Sequence, residues 1–115
     1  MRQPPVDTWG SSSSIAEWYA YVVQAAGGAF LTNAIPHFVH GVSGSRFQSP
    51  FGKPLGVGES SPVSNVVWGF GNMAVGGFLL TQFPPSSLVS RGVVGAAIFL
   101  SGLLLARYFG RIRGG

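Results

Sequence analysis

Cysteine is absent from the 115-residue chain, which excludes disulfide bonds, thiolate metal sites and cysteine nucleophiles. Charge is also scarce, because Asp, Glu, Lys and Arg together make up 9% of the residues, against a usual share of about 25%. So few charged side chains cannot cover the large relative surface of a small water-soluble domain. A hydrophobic content of 46% is too high for a disordered chain. These shortages favour a membrane protein.

Three long apolar segments run through the sequence, at 15–40, 62–83 and 88–109. A helix of about 20 residues is roughly 30 Å long, which matches the hydrocarbon core of a bilayer. Strands are the competing assignment, but the strands of membrane barrels are shorter, at about 9–11 residues. The sequence therefore predicts an all-α integral membrane protein with three transmembrane helices, packed as a small bundle or docked on partner helices.

Cap residues support the helical assignment. Ser14 and Glu17 have the spacing of a capping box, and Ser61 precedes a proline suited to the first helical position. Glu17 also interrupts the start of the first apolar run, and no basic segment directly precedes that run. Both features disfavour a cleaved signal peptide over residues 1–30.

The basic residues predict an orientation. With three spans, the tail 1–14 and the turn 84–87 share one side, which has only Arg2 and Arg91. The loop 41–61 and the basic tail 110–115 share the other side, together with five basic residues: Arg46, Lys53, Arg107, Arg111 and Arg113. Positive charge stays cytoplasmic, so the N-terminus is expected outside and the C-terminus inside. Insertion and anionic lipid explain this charge better than nucleic-acid binding does.

The loop 41–61 is rich in Gly, Ser and Pro and is expected to be non-helical. Phe47, Phe51 and Leu55 recur in it every four residues. A purely flexible linker gains nothing from three large apolar side chains. We therefore expect an ordered loop that lies on the membrane surface or on a partner, rather than a flexible connector.

Polar residues within the apolar segments predict contacts between helices, because amides in lipid need hydrogen-bond partners. Asn33, His37 and Asn65 are expected at the same depth in the cytoplasmic half, whereas Asn72 is expected near the midplane. Small residues at helical spacing predict close packing of helices, within the chain or against a partner. The positions of this kind are Gly69, Gly76, Gly95, Gly102 and Ala106.

His37 and His40 are the candidate cofactor residues. At i and i+3 they share a helix face, so they could supply two metal ligands, contact a quinone, or provide one haem ligand alongside a partner. The simpler interpretation is a pair of interfacial histidines that hydrogen-bond to backbone or lipid. No resident cofactor or metal is expected, only lipid. Catalytic constellations are missing, since the three carboxylates lie at or beyond the span ends.

A motif pattern gives one resemblance. Asn33 to Phe38 read N-A-I-P-H-F, residues 48–52 read Q-S-P-F-G, and Asn65 is followed by Trp68-Gly69. This pattern resembles small uncharacterised bacterial inner-membrane proteins, a group with no known activity. The resemblance covers about residues 33–69 and implies a bacterial inner-membrane setting.

Together these features predict a small accessory subunit of a larger bacterial membrane complex, of the respiratory or photosynthetic kind, that works through helix and lipid contacts. Other membrane-protein subunits are its expected partners. The alternatives are a homo-oligomeric small transporter or channel, with Asn72 or the histidines lining the path, and a subunit that contacts haem or quinone through His37 or His40.

Overall fold

The protein is described by a computed structural model, which covers the backbone of residues 12–114 and the side chains of residues 18–114. Most of the predicted external tail lies outside this range, as do the side chains of Ser14 and Glu17. Three helices carry most of the described chain: α1 (Ser12–Val42), α2 (Pro62–Gln82) and α3 (Leu88–Arg113). Two short strands, β1 (Phe47–Gln48) and β2 (Glu59–Ser60), pair antiparallel in the loop between α1 and α2. The prediction of an all-α fold is confirmed.

The helix bounds differ from the predicted ones mainly at two ends. α1 begins at Ser12, which places Ser14 inside the helix rather than at its N-cap. α3 continues to Arg113, so most of the predicted basic tail 110–115 is helical. Its C-cap is Gly114, whose φ of 79° lies in the left-handed region that glycine adopts without strain. α2 begins as predicted, with the Ser61 side chain accepting from the backbone N–H of Ser64.

α1 is the central helix, because it packs along both α2 and α3, while α2 and α3 contact each other little. α2 runs antiparallel to α1, so that Gly41 lies beside Pro62 at one end and the Gln24 side chain reaches the carbonyl of Phe83 at the other. α3 runs parallel to α1. Gly28 approaches the carbonyl of Val94, and His37, further along α1, approaches Phe109. The molecule is accordingly elongated, with extents of 51 × 25 × 21 Å.

Burial is reversed relative to a water-soluble protein. Among the described side chains, the buried hydrophobic ones are Ala34 and Phe47, whereas the other buried side chains are polar, among them Gln24, Thr32, His37, Asn65 and Asn72. Large apolar side chains lie on the outside of all three helices. This distribution suits a lipid surrounding, in which apolar atoms need no cover but polar groups must find partners within the protein.

Two helices, α2 and α3, are long and apolar enough to cross a membrane by length and composition. α1, over its described stretch Ser12–Val42, is not one of them. The polar side chains of Gln24, Asn33 and His37 lower its mean hydropathy. The count of three spans therefore stays a prediction.

Candidate functional site

Asn65 is the centre of a buried polar cluster where α1, α2 and the loop meet. It is fully buried, with 0% exposure. Its Nδ2 donates to the Ser60 hydroxyl at 2.9 Å and lies within 3.3 Å of three backbone carbonyls, those of Phe47, Ser60 and Ser61. The Ser60 hydroxyl in turn bonds the Ser49 hydroxyl at 2.7 Å. One side chain therefore joins both strands of the loop to the first turn of α2. We call His37, Ser49, Ser60 and Asn65 the polar hub.

The hub fixes the tautomer of His37. Four oxygens surround Asn65 Nδ2, so this atom must be the amide nitrogen and Oδ1 must be the acceptor. His37 Nδ1 lies 2.9 Å from that Oδ1 and therefore donates its N–H to it. In the neutral ring, the other nitrogen, Nε2, is then left as a hydrogen-bond acceptor.

Asn33 and Asn72 form the second polar contact between α1 and α2. Asn33 Nδ2 donates to Asn72 Oδ1 at 3.0 Å, and Asn72 Nδ2 donates to the Trp68 carbonyl at 2.8 Å. The sequence placed Asn33 level with Asn65, but the antiparallel register puts Asn65 level with His37. Asn33 is therefore level with Asn72, about one turn of α1 away from the hub.

Two glycines of α2 allow close contact with α1. A Cβ at Gly69 would lie 2.7 Å from the backbone N of Phe38, and a Cβ at Gly76 would lie 2.8 Å from the Gly27 carbonyl. Real side chains essentially never come that close to backbone atoms, so these two positions require glycine for the observed packing. Both residues are buried.

The small residues of α3 that were expected to pack against another helix do not lie at the contact with α1. A Cβ at Gly95 or Gly102 meets no atom within 4 Å, and Ala106 is exposed. These positions do not contribute to packing between the described helices of one chain. Instead, α3 meets α1 near Gly28, where a Cβ would approach Val94 and Ala97 at 3.2–3.3 Å.

The loop folds back onto the helix ends. Phe47 is 3% exposed and stacks on the His40 ring at a centroid distance of 4.1 Å, with Phe109 at 4.6 Å. The Arg113 guanidinium lies over the Phe47 ring, 4.9 Å from its centre, and it also donates to Gln48 Oε1 at 3.0 Å. The last turns of α3 therefore hold β1 in place.

The loop is ordered, as the sequence suggested, but its three regularly spaced apolar residues behave differently. Phe47 packs inside the chain, whereas Phe51 and Leu55 are 58% and 74% exposed. The Tyr108 hydroxyl donates to the Gly56 carbonyl at 2.7 Å and ties the outer part of the loop to α3. Phe51 packs edge-on against Trp68 of α2, at a centroid distance of 5.5 Å.

A cavity of about 170 Å³ lies where the loop, α1, α2 and α3 come together. Its polar lining includes Asn33, His37 and Trp68, and its apolar lining includes Leu105 and Phe109. The indole Nε1–H of Trp68 is buried and has no hydrogen-bond partner in the described part of the chain. We call this space the end cavity.

His37 and His40 differ in their surroundings. His37 lines the end cavity, whereas the Nδ1–H of His40 donates to the Pro36 carbonyl at 2.7 Å and its ring stacks on Phe47. No group of three or more His, Cys, Asp or Glu side chains that could hold a metal occurs in the described residues.

Sequence reasoning gave no site role to Ser49, Ser60, Trp68 and Tyr108, although Ser49 and Trp68 belong to the motif pattern. All four contribute through contacts that depend on how the loop folds back, and the loop's fold follows no helical or strand periodicity. The S-P-F-G and E-S-S segments that flank the strands are the signal that could have identified the two serines. Comparison of the chain with family models, curated proteins and solved structures gives no match.

Proposed function

We propose that this chain is a three-span membrane protein that acts as a small accessory subunit of a larger bacterial membrane complex. The single observation that carries the proposal is the exposure of α3. This apolar helix has 26 residues, and one of them, Ser90, is buried. Apart from the side that packs on α1 and the loop, the chain leaves α3 for lipid and for other proteins to cover.

The three-span arrangement is supported by the register of α1 on α2. Contacts between these helices run from Gly41 beside Pro62 to Gln24 beside Phe83 and Pro84. α1 therefore accompanies α2 from end to end. If α2 crosses the bilayer, α1 crosses with it, and its polar face is then shielded by α2 rather than exposed to lipid.

The accessory role is supported by the outward side of α3. A neighbouring helix has room to bring its backbone close to α3 on this side. Gly95 and Gly102 have no side chain and face open space there, and Ala106 is small. In lipid such contact, rather than burial of apolar surface, drives helix association. A respiratory or photosynthetic complex offers helices of this kind.

The bacterial inner-membrane setting rests on the motif pattern of residues 33–69, and the orientation rests on charge. Arg46, Lys53, Arg107 and Arg111 are exposed at the end of the bundle that contains the loop. We place this end in the cytoplasm, next to anionic lipid headgroups, and the N-terminus outside.

We favour this role over a transporter or channel because Asn72, the polar residue expected to line a path, already uses both its polar atoms inside the chain. A haem or quinone contact through His40 is disfavoured for a similar reason, since Phe47 covers its ring.

The absence of cysteine makes the topology directly testable. Single cysteines at Ser13, Lys53, Ser86 and Gly114 are labelled in intact spheroplasts with a membrane-impermeant maleimide. We expect Ser13→Cys and Ser86→Cys to react from outside, and Lys53→Cys and Gly114→Cys to react only after lysis. Protection of Ser13→Cys together with labelling of Ser86→Cys would mean two spans and would contradict the proposal.

The accessory role is tested by gentle detergent extraction from the native membrane, followed by mass measurement of the intact complex. We expect the chain to be found with larger, different subunits in fixed ratio. Multiples of 12.0 kDa would instead indicate a homo-oligomer, and a lone chain would indicate no stable complex. Either result overturns the accessory role.

A further inference from the structure

Residues 50–57, which we call the loop tip, fold back along the outside of the helices. Phe51 packs edge-on against Trp68, which lies about 9 Å along α2 from the start of that helix at 1.5 Å per residue. Gly56 accepts from the hydroxyl of Tyr108, which lies about 8 Å before the end of α3. The loop tip therefore lies beside α2 and α3, roughly one to two helical turns below the end of the bundle.

The loop tip bridges two helices that otherwise contact each other little. Phe51 joins it to α2 and Gly56 joins it to α3, while Pro50 and Gly56 form part of the wall of the end cavity. One side of the loop tip is thus covered by the protein. Its other side faces away from the helices.

Most of the backbone N–H groups in the segment 49–58 are paired within the segment. Two of its residues are prolines, which have no N–H, and six others donate to oxygens of Ser49, Pro54 or Gly58. The six donors are the N–H groups of Ser49, Phe51, Gly52, Gly56, Val57 and Gly58.

This pairing determines how deep in a membrane the segment can lie. Lipid-exposed irregular backbone does not occur in the hydrocarbon core, because polar groups find no partners there. The N–H groups of Lys53 and Leu55 form no hydrogen bond with the described residues. A segment with most of its donors paired and two left over fits the membrane interface, where water reaches the remaining two.

The outward side of the loop tip is apolar and carries one positive charge. Phe51, Leu55 and Val57 are all exposed, and Lys53 is exposed between them. Through its contacts with α2 and α3, this surface is continuous with the exposed apolar sides of those helices. An apolar surface with a lysine is complementary to acyl chains beneath anionic headgroups.

Negative charge does not oppose this match. Glu59, the carboxylate of the loop, lies 3.7 Å from the guanidinium of Arg113. Arg46, Arg107 and Arg111 are exposed at the same end of the bundle. The loop tip is therefore surrounded by a net positive charge.

We propose that the loop tip inserts into the lipid leaflet at this end of the bundle, at the boundary between headgroups and acyl chains. Phe51, Leu55 and Val57 contact the acyl chains, and the ammonium group of Lys53 extends to an anionic headgroup. Amphipathic helices bury their apolar face about 5–10 Å into this boundary. The fold-back of about 9 Å along α2 is of the same size.

The inference rests on the proposed membrane setting, in which the helices cross the bilayer, and not on the accessory role. Because the chain has no cysteine, single nitroxide labels can report the depth of chosen positions. Labels are attached to Leu55→Cys, Ser45→Cys and Leu100→Cys in the purified full chain, in vesicles of phosphatidylcholine and phosphatidylglycerol. All three positions are exposed, so we expect the fold to be retained.

The ratio of two collision rates measures depth, because oxygen concentrates among acyl chains whereas a nickel chelate stays in water. Ser45 lies next to the end of α1, and Leu100 lies midway along α3. We expect the oxygen-to-nickel ratio at Leu55 to be severalfold higher than at Ser45 and lower than at Leu100. A label at Val57→Cys should give a ratio similar to that at Leu55.

Three other results would count against the inference in distinguishable ways. Equal ratios at Leu55 and Ser45, with a high ratio at Leu100, would overturn insertion of the loop tip and leave the membrane setting intact. Slow collisions with both reagents at Leu55 would mean that protein covers the loop tip, which would overturn the assignment to lipid. A ratio at Leu100 as low as at Ser45 would overturn the membrane setting itself.

A matched pair of variants tests the role of Lys53. In the protein labelled at Leu55, a larger share of phosphatidylglycerol should raise the oxygen-to-nickel ratio, because anionic headgroups attract the lysine. Lys53→Gln should remove most of this dependence, whereas Arg46→Gln, a change of the same charge outside the loop tip, should retain it. A dependence that persists in Lys53→Gln would overturn the headgroup contact assigned to Lys53.

Discussion

The contact of α1 with α2 and the contact of α1 with α3 are built on different principles. The contact of α1 with α2 depends on glycines such as Gly69, where a side chain would clash with the other helix. It also depends on amides such as Asn72, which hydrogen-bonds a side chain of the other helix. α3 buries Ser90, which belongs to its own N-terminal capping box. It packs on α1 near Gly28, and Tyr108, Phe109 and Arg113 hold its C-terminal end to α1 and the loop.

This difference indicates which contacts are complete within one chain. α1, α2 and the loop form a unit in which Asn33, His37, Asn65 and Asn72 find hydrogen-bond partners within the chain. α3 packs on α1 and on the loop, and its outward surface is left for lipid or protein to cover. The two contacts should therefore respond in opposite ways to substitution, and four changes test this contrast.

The largest effect is expected for Asn65→Leu. The substitution removes the donor that serves the Ser60 hydroxyl and nearby carbonyls, and it leaves the His37 Nδ1–H buried without its acceptor. We expect a loss of about 3 kcal/mol or more in the free energy of unfolding, measured by denaturation in mixed detergent micelles. Val67→Leu, two residues on and exposed, is the control and should change little. Unaltered stability of Asn65→Leu would show that the hub does not hold the loop to the helices.

A second test compares two glycines of the same helix. Gly69→Ala forces a Cβ against the backbone of Phe38 and should destabilise the protein by about 1–3 kcal/mol. Gly71→Ala adds the same atom where nothing lies within 4 Å, so it should be neutral or stabilising by up to about 1 kcal/mol. Thermal melts of the two variants check this pair. Equal shifts would mean that α1 and α2 are not in close contact.

The Asn33–Asn72 contact should contribute less. A double-mutant cycle with Asn33→Ala and Asn72→Ala should give a coupling energy of about 0.6–1.7 kcal/mol, the range found for polar contacts between membrane helices. A cycle between Asn33→Ala and Asn65→Ala should show less coupling, because these two side chains do not bond each other. The reverse order would place Asn33 beside Asn65, as the sequence alone suggested.

The smallest effect on the isolated chain is expected for Gly102→Leu. The new side chain meets open space, so the stability of the purified protein should change by no more than about 0.5 kcal/mol. The same change should reduce recovery of the native complex after gentle extraction, because it fills the outward side of α3. A loss of stability in the purified chain would mean that this side packs within the protein.

Much of the fold could be predicted from composition and helix signals. The start of α2 at Pro62 and of α3 at Leu88 follow from local chemistry, namely a serine N-cap before each and a proline pair between them. Local chemistry was less informative at the far ends. α3 continues to Arg113 because its final turns bind the loop, and that is a tertiary contact with no local signature.

The sequence predicted which polar residues of the helices need partners, but not which of them pair with each other. The sequence identified Asn33, His37, Asn65 and Asn72 as residues that need partners, since amides in apolar segments are costly. Pairing depends on register, and a shift by two turns exchanges Asn65 for Asn72 as the partner of Asn33. The end cavity could not be predicted, because its walls come from the loop and from three helices at once.

The hydrogen bonds from Tyr108 to Gly56 and from Arg113 to Gln48 join residues 52 and 65 positions apart. During synthesis the loop is made long before the turn of α3 that holds it. The end cavity is therefore completed only after the last turns of α3 have been made. A ribosome-bound chain that stops before Tyr108 would have the polar hub but an open cavity, so the order of translation separates assembly of the helix pair from completion of the cavity.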